Sequence, residues 1–369
     1  MTRIGMMTFL HNDNYGSILQ AWALQQTLTD LGYDAVHIDY APSKQEKLRN
    51  LLLSGNSPKL ILEGMRKKSA AGKMHGGFDA FRQGNIVTTA ACRDHAALKK
   101  AAAEFDVLLC GSDQIWSPVW LNPAYFLDFS DQPKVSYAPS LGVKEMPNIY
   151  KRRKIARLVK RFSAVSVREQ EGAALIKRLT DSVPAVLPDP VMIVPKDKWQ
   201  SVMDNDIPQE KYILCYFIGD NPAYWDTVAA VARQENCAVR VIPRTEGARN
   251  AGYPLEEAVP PQRWLGLING AAHVVTDSFH GATFSAILNK PCTIVRRYRE
   301  DDPESKNSRI DQLLRNLGVS DLTNADWDVV NANLAAKTEY AKAWLVNAIN
   351  QAKPRGNPAG ETRCAGFPW

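Results

Sequence analysis

Several absences narrow this 369-residue sequence before any motif is read. No stretch of about 18 consecutive apolar residues occurs, so no membrane-spanning helix is expected. The start, MTRIGMMTFLHND, has only a short apolar patch and turns polar at His11, which suits a first β-strand better than a secretory signal. The six cysteines, at 92, 110, 215, 237, 292 and 364, never form a CxxC pair, so a zinc site is not expected. Cys110, Cys215 and Cys292 fall in apolar runs as small core residues would, and a reducing cytoplasm fits them. Neither GxGxxG nor a Walker loop is present, no internal repeat of 20–50 residues is evident, and no nucleic-acid-binding motif is visible.

What is present is ordinary globular composition, 45% hydrophobic and 23% charged. At roughly 150 residues per domain the length suggests two domains. The net charge of +6 is concentrated at 151–161 (KRRKIARLVKR) and 296–309. It suits an anionic ligand or a membrane-surface acceptor better than nucleic acid, although 151–161 also reads as the solvated face of a helix.

The hydrophobic pattern opens as a βαβ unit. Strand 4–9 runs into the polar turn His11–Ser17, and a helix then carries Ile18, Ala21, Leu24, Leu28 and Leu31 at helical spacing up to Gly32, before a strand at 35–40. Residues 43–104 are helical in character, with a mobile or irregular region expected near 69–77 around Gly72, Gly76 and Gly77. A buried strand at 106–110 leads into Gly111–Trp116. There Asp113 either orients a ligand hydroxyl or braces the turn, and Trp116 and Trp120 form a sugar platform or belong to the core. Strands at 134–138, 164–167 and 183–187 and a helix at 147–162 complete a first α/β unit. Arg168 follows a strand end, where it can grip a carboxylate or phosphate in bidentate fashion or pair with a neighbouring acid.

After Pro188-Asp189-Pro190, strands at 212–218, 238–242, 273–276 and 292–295 alternate with helices at 222–235, 261–270 and 281–288, as a parallel-sheet domain requires. Arg296, Arg297 and Arg299 crowd the end of the last strand, and another helix opens at 305–309 with Ser308 and Arg309 near its start. The divisions expected are 1–188, 189–330, a helix at 331–352 across the joint, and a poorly ordered tail at 353–369.

The segment around His280, HVVTDSFHGATFSAILN, organises this pattern. A strand turns sharply into a helix, which places side chains at the carboxyl edge of a sheet where open α/β folds bind ligands. The helix start adds free N–H groups and a positive dipole end. His280 therefore sits beside an anion site, or Ser278 merely caps the helix and His280 packs.

In order and spacing the chain resembles the polysaccharide pyruvyl transferase family. The resemblance rests on Asn14-Tyr15-Gly16-Ser17 with Leu19-Gln20-Ala21, Gly111-Ser112-Asp113-Gln114-Ile115-Trp116, Tyr125-Phe126-Leu127-Asp128-Phe129 and Ser136-Tyr137-Ala138. It continues through Ser166-Val167-Arg168-Glu169, Asp189-Pro190, Thr276-Asp277-Ser278-Phe279-His280-Gly281 and Asn307-Ser308-Arg309-Ile310. It implies two Rossmann-like domains facing across a cleft, as in GT-B glycosyltransferases. It also implies transfer of the enolpyruvyl carbons of phosphoenolpyruvate to a sugar as a ketal, with release of phosphate. His280 and Arg168 map to the donor site. Asn14, Tyr15, Gly16, Ser17, Asp113, Gln114, Trp116, Ser278, Phe279, Gly281, Ser308 and Arg309 are the expected substrate-binding residues. Phosphoenolpyruvate is the donor substrate, with no separate cofactor and no metal. The acceptor is a free, nucleotide-linked or lipid-linked saccharide, and a lipid-linked one would bring the protein to the inner face of a membrane. A homo-oligomer is compatible with the sequence. The other readings are a GT-B glycosyltransferase using a nucleotide sugar and a non-catalytic sugar-binding subunit.

Overall fold

The computed structural model describes residues 1–54, 75–297 and 308–352. Two separate parallel sheets form the frame. The first has the order β2-β1-β3-β4-β5-β6. Its strands are β1 (Arg3–Met7), β2 (Asp34–His37), β3 (Val107–Cys110), β4 (Lys134–Ser136), β5 (Ala164–Val167) and β6 (Ala185–Val186). Helices α1 (Tyr15–Asp30), α2 (Lys44–Leu53), α3 (His75–Asn85), α4 (His95–Ala102), α5 (Ile149–Val159) and α6 (Gln170–Thr180) are interleaved with them.

The second sheet, β10-β9-β7-β8, contains β7 (Tyr212–Tyr216), β8 (Ala238–Ile242), β9 (His273–Thr276) and β10 (Cys292–Ile294). Around it lie α7 (Lys196–Gln200), α8 (Tyr224–Glu235), α9 (Glu246–Arg249), α10 (Pro261–Gly270), α11 (Phe279–Ile287) and α12 (Ser308–Leu317), and α13 (Trp327–Ala352) ends the described chain. Every strand pairing in both sheets is parallel, so each connection returns over a face and the ligand-competent loops collect at one carboxyl edge per sheet.

Central strands such as VLLC at 107–110 are apolar without alternation because helices cover both of their faces. α1 is buried almost all round, since one side packs on the first sheet and the other on the second domain. At this joint Trp22 packs on Trp199 with centroids 4.7 Å apart, and Tyr15 stacks on Trp264 at 4.8 Å. Each such pair adds roughly 0.5–1.5 kcal/mol beyond simple burial, so the joint is a shared core. α13 belongs to both halves. Val330 joins the core of the second sheet, whereas Ala341, Leu345, Ala348 and Ile349 join that of the first.

The irregularity expected near 69–77 is corrected in part. Residues 69–74 lie outside the described set, but Gly76 and Gly77 sit inside α3. A Cβ on Gly77 would come 2.9 Å from Pro260 Cβ, so this glycine lets the helix approach the second domain closely rather than ending it. The tail from 353 and Arg299 also lie outside the described residues. Among the described residues no helix is long and apolar enough to cross a membrane.

Candidate active site

The two carboxyl edges meet at Gly16. This residue opens α1, and a Cβ placed on it would lie 2.0 Å from His280 Nδ1 on α11. Only glycine leaves room for the imidazole there, so one domain's first helix and the other's catalytic candidate are in direct contact. Local sequence explains both placements. Asn14 caps α1 by accepting from the Ser17 amide at 3.2 Å, and Ser278 caps α11 by accepting from the Gly281 amide at 3.3 Å.

Between them stands Asp189, the cap of the short 3-10 turn Pro190–Ile193 that links the domains. Its Oδ1 accepts from the Val191 amide at 3.2 Å, and Pro190 occupies the first turn position, where no N–H is needed. The other oxygen, Oδ2, receives Arg168 Nη1 at 2.5 Å and faces His280 Nε2 at 3.6 Å. The second distance is an ion-pair contact, just beyond a formed hydrogen bond. Burial alone would raise the Asp189 carboxyl. His280 and Arg168 outweigh it and hold the group at about 2, so it stays ionised. Burial likewise opposes the charge on Arg168, but Asp189, Glu169 and Asp113 raise it above the ordinary arginine value.

Arg168 is almost fully enclosed, its guanidinium lying 5.1 Å over the Phe279 ring. Its Nε and Nη2 make no hydrogen bond to the protein, and the same holds for His280 Nε2 and Arg309 Nε. Arg309 enters from the start of α12. Burial first, and then the positive charge of Arg168, push it down to about 10. Arg168, Glu169, Asp189, Phe279 and Arg309 line one pocket, which Gln312 and Asn316 close from α12; it encloses about 310 Å³ including its mouth. Buried donors without partners cost about 1–3 kcal/mol each. The pocket holds several on its two arginines, with the His280 imidazole beside Asp189 at its edge. Through Glu169, Phe279 and Arg309 the starts of α6, α11 and α12 border the pocket.

The family follows from the comparison of the chain with known families. The model for polysaccharide pyruvyl transferase matches residues 14–297. The chain belongs to that family. A search of curated proteins by sequence returns no match. Among solved structures, a UDP-N-acetylglucosamine 2-epimerase from Methanocaldococcus jannaschii is similar at TM-score 0.51 and 13% identity, over 94% of this chain and 99% of that one. A putative UDP-N-acetylglucosamine 2-epimerase from Listeria monocytogenes is similar at 0.50 and 12%, over 98% and 92%. The S. aureus MnaA–UDP structure gives 0.51 and 12%, over 98% and 93%. At such identities these likenesses establish the fold, two GT-B-like α/β domains, and no more.

The expected site residues separate into three groups. His280, Arg168, Phe279 and Arg309 gather at the pocket or its edge, with Gly16 against His280. A second group builds the frame. Ser17 Oγ donates to Asp113 Oδ2, and Asp113 Oδ1 accepts from the Gln114 amide at 2.7 Å, which ties the first and third strand ends together. Gln114 lies against Gly142, and Gly281 packs on Thr276. Two assignments are corrected. Trp116 is wholly buried and stacks on Phe126 at 4.9 Å, so of the two platform candidates only Trp120 is exposed. Tyr15 is buried at the joint with its hydroxyl donating to the Val259 carbonyl at 2.8 Å. Aromatic side chains after a strand look alike in sequence whether they face a ligand or a neighbouring domain.

Ser308 opens α12, and its side chain lies outside the described set. In the basic cluster, Arg296 pairs with Asp311 at 2.7 Å and Arg297 with Asp277 at 2.9 Å, so Arg309 is the member that reaches the pocket among the described residues. Sequence reasoning assigned no role to Asp189 or Glu169. The Asp-Pro step at the domain boundary was the available signal for Asp189, since such a cap must point its carboxylate back at the joint. Among the described residues no group of three or more His, Cys, Asp or Glu side chains could hold a metal ion.

Proposed function

We propose that the pocket binds phosphoenolpyruvate and that the protein transfers its three-carbon unit to two hydroxyls of one sugar as a ketal. The observation that carries this reading is that Arg168 and Arg309, both with unpartnered buried nitrogens, line one small cavity, while His280 stands 3.6 Å from Asp189 on its wall. Phosphoenolpyruvate carries a carboxylate and a phosphate close together, and two guanidiniums match two anionic groups better than one. Arg168 is held in orientation by Asp189 below and Phe279 beneath its plane, so its two free N–H directions are fixed before the donor arrives.

Reaction begins when the methylene carbon gains a proton and the adjacent carbon becomes electrophilic. One hydroxyl of the sugar attacks that carbon, and a second displaces phosphate and closes the ring. His280, aligned by Asp189, passes protons in these steps. The acceptor is a sugar of a surface polysaccharide or of its precursor. A lipid-linked acceptor would recruit the protein to the inner face of the membrane by association.

The test is incubation with phosphoenolpyruvate and candidate saccharides, followed by phosphate assay and mass spectrometry. The expected product carries an added pyruvate ketal. Thermal protection by nucleotide sugars but not by phosphoenolpyruvate would instead favour a glycosyltransferase.

A further inference from the structure

The pocket contains two carboxylates, and the structure gives them different work. Asp189 is already engaged on both oxygens, Oδ1 by the Val191 amide and Oδ2 by Arg168, with His280 Nε2 a further 3.6 Å contact. Glu169 is divided. Its Oε1 accepts from Ser140 Oγ at 2.8 Å, the Leu141 amide at 3.0 Å and the Gly142 amide at 3.4 Å. Its Oε2 is buried, accepts no hydrogen bond, and stands 3.8 Å from Arg168 Nε. The residue is 6% exposed and lines the pocket. One oxygen thus anchors the side chain to the loop after β4, and the other is left beside Arg168 in the pocket wall.

The reaction in Proposed function, on which this inference rests, makes a demand that one imidazole does not meet in a single step. One C–H bond forms at the methylene carbon, two C–O bonds form at its neighbour, and the bond from that neighbour to the phosphate oxygen breaks. Two hydroxyl O–H bonds break, and in the net balance one proton ends on carbon and one on the departing phosphate. While His280 delivers a proton to carbon, another group must take the proton of the attacking hydroxyl.

We infer that Glu169, through Oε2, is that second group, the general base that deprotonates the acceptor sugar. The carboxylate takes the hydroxyl proton as oxygen attacks, His280 supplies the proton to the methylene carbon, and the second hydroxyl's proton leaves with phosphate. Exchange of the Glu169 proton with His280 through solvent restores the starting state. The charged neighbours of Glu169 are Arg168 at the same strand end and Arg309 from α12; Asp189 on the linker lines the same pocket, and Asp113 from the loop after β3 acts on both arginines. The two arginines keep a negative oxygen tolerable beside an anionic donor.

Glu169→Gln separates this role from a bracing one. The amide oxygen of Gln can still accept from Ser140, Leu141 and Gly142, while the base is lost. We expect kcat to fall about 100-fold or more, with the affinity for phosphoenolpyruvate by calorimetry unchanged or tighter, because a negative charge beside the donor has gone. The acidic limb of the wild-type pH–rate profile should disappear from the residual activity. Ser140→Ala removes one of three anchors and leaves the Leu141 and Gly142 amides on Oε1, so kcat should fall clearly less than in Glu169→Gln. If Glu169→Gln melts early, Glu169→Asp serves instead: a retained charge drawn back by one methylene should lower kcat and keep the acidic limb.

A kcat for Glu169→Gln within threefold of wild type overturns the inference. So does a Ser140→Ala loss as large as that of Glu169→Gln, or a loss of donor binding in step with turnover. Each of these results leaves the donor reading standing, whereas wild-type protein that binds no phosphoenolpyruvate would remove both.

Discussion

Replacement of Asp189 by Asn should destabilise the protein by about 2–5 kcal/mol at neutral pH, and two routes lead to that figure. The Asp189 carboxyl lies at about 2 against an ordinary 3.8. The folded chain therefore favours its ionised form by a few kcal/mol. Separately, removal of one partner from a buried ion pair costs about 3–5 kcal/mol, because the other charge is stranded. Arg168 would be that charge, left with Glu169 Oε2 at 3.8 Å as its nearest acid.

The pH dependence has a definite sign. The folded value is below the unfolded one, so the Asp189 contribution is fully present above about pH 4 and fades as pH falls toward 2. Urea unfolding followed by tryptophan fluorescence should show a gap between wild type and Asp189→Asn at pH 7 that narrows toward pH 2. A variant within about 0.5 kcal/mol of wild type at pH 7, or a gap that widens with acid, would refute this account of the linker.

Other expectations follow from the same geometry. His280→Ala removes the imidazole proposed to pass protons and should reduce turnover about 100-fold or more while the melting temperature stays close to wild type; the steady-state rate with phosphoenolpyruvate checks it. Arg309→Gln should weaken donor binding about 10-fold or more by calorimetry, since a charge-assisted contact is worth about 1.5–3 kcal/mol. Gly16→Ala forces its new Cβ to within 2.0 Å of the undisplaced His280 Nδ1. The ring must move, so kcat should fall at least 10-fold with a folded protein in circular dichroism, and wild-type kinetics would show that the contact is irrelevant to the chemistry.

Much of the fold was legible because the backbone obeys short-range rules. Strand 273–276, helix 261–270 and strand 238–242 are found where the apolar period places them. The parallel sheets follow from the alternation of strand and helix. Ser278 and Asn14 announced the helix starts, and Gly32 lies just beyond the end of α1 at φ 86°. The family could likewise be read from dispersed short motifs, since their order along the chain survives without knowledge of their contacts.

By itself the sequence determined which segments are strands and helices and which residue types stand at the strand ends. Only tertiary structure decided which of those side chains share a pocket. Tyr15 and Trp116 follow strand ends just as Arg168 does, yet they face the other domain and the core. Asp189 and Glu169, present in the short motifs but given no role there, stand beside Arg168. The physical reason is range. Helix and strand formation are settled by neighbours a few residues apart. The meeting of Gly16, Arg168, Asp189, His280 and Arg309 depends on how two apolar joint surfaces dock, and that is fixed by packing among side chains far apart along the chain.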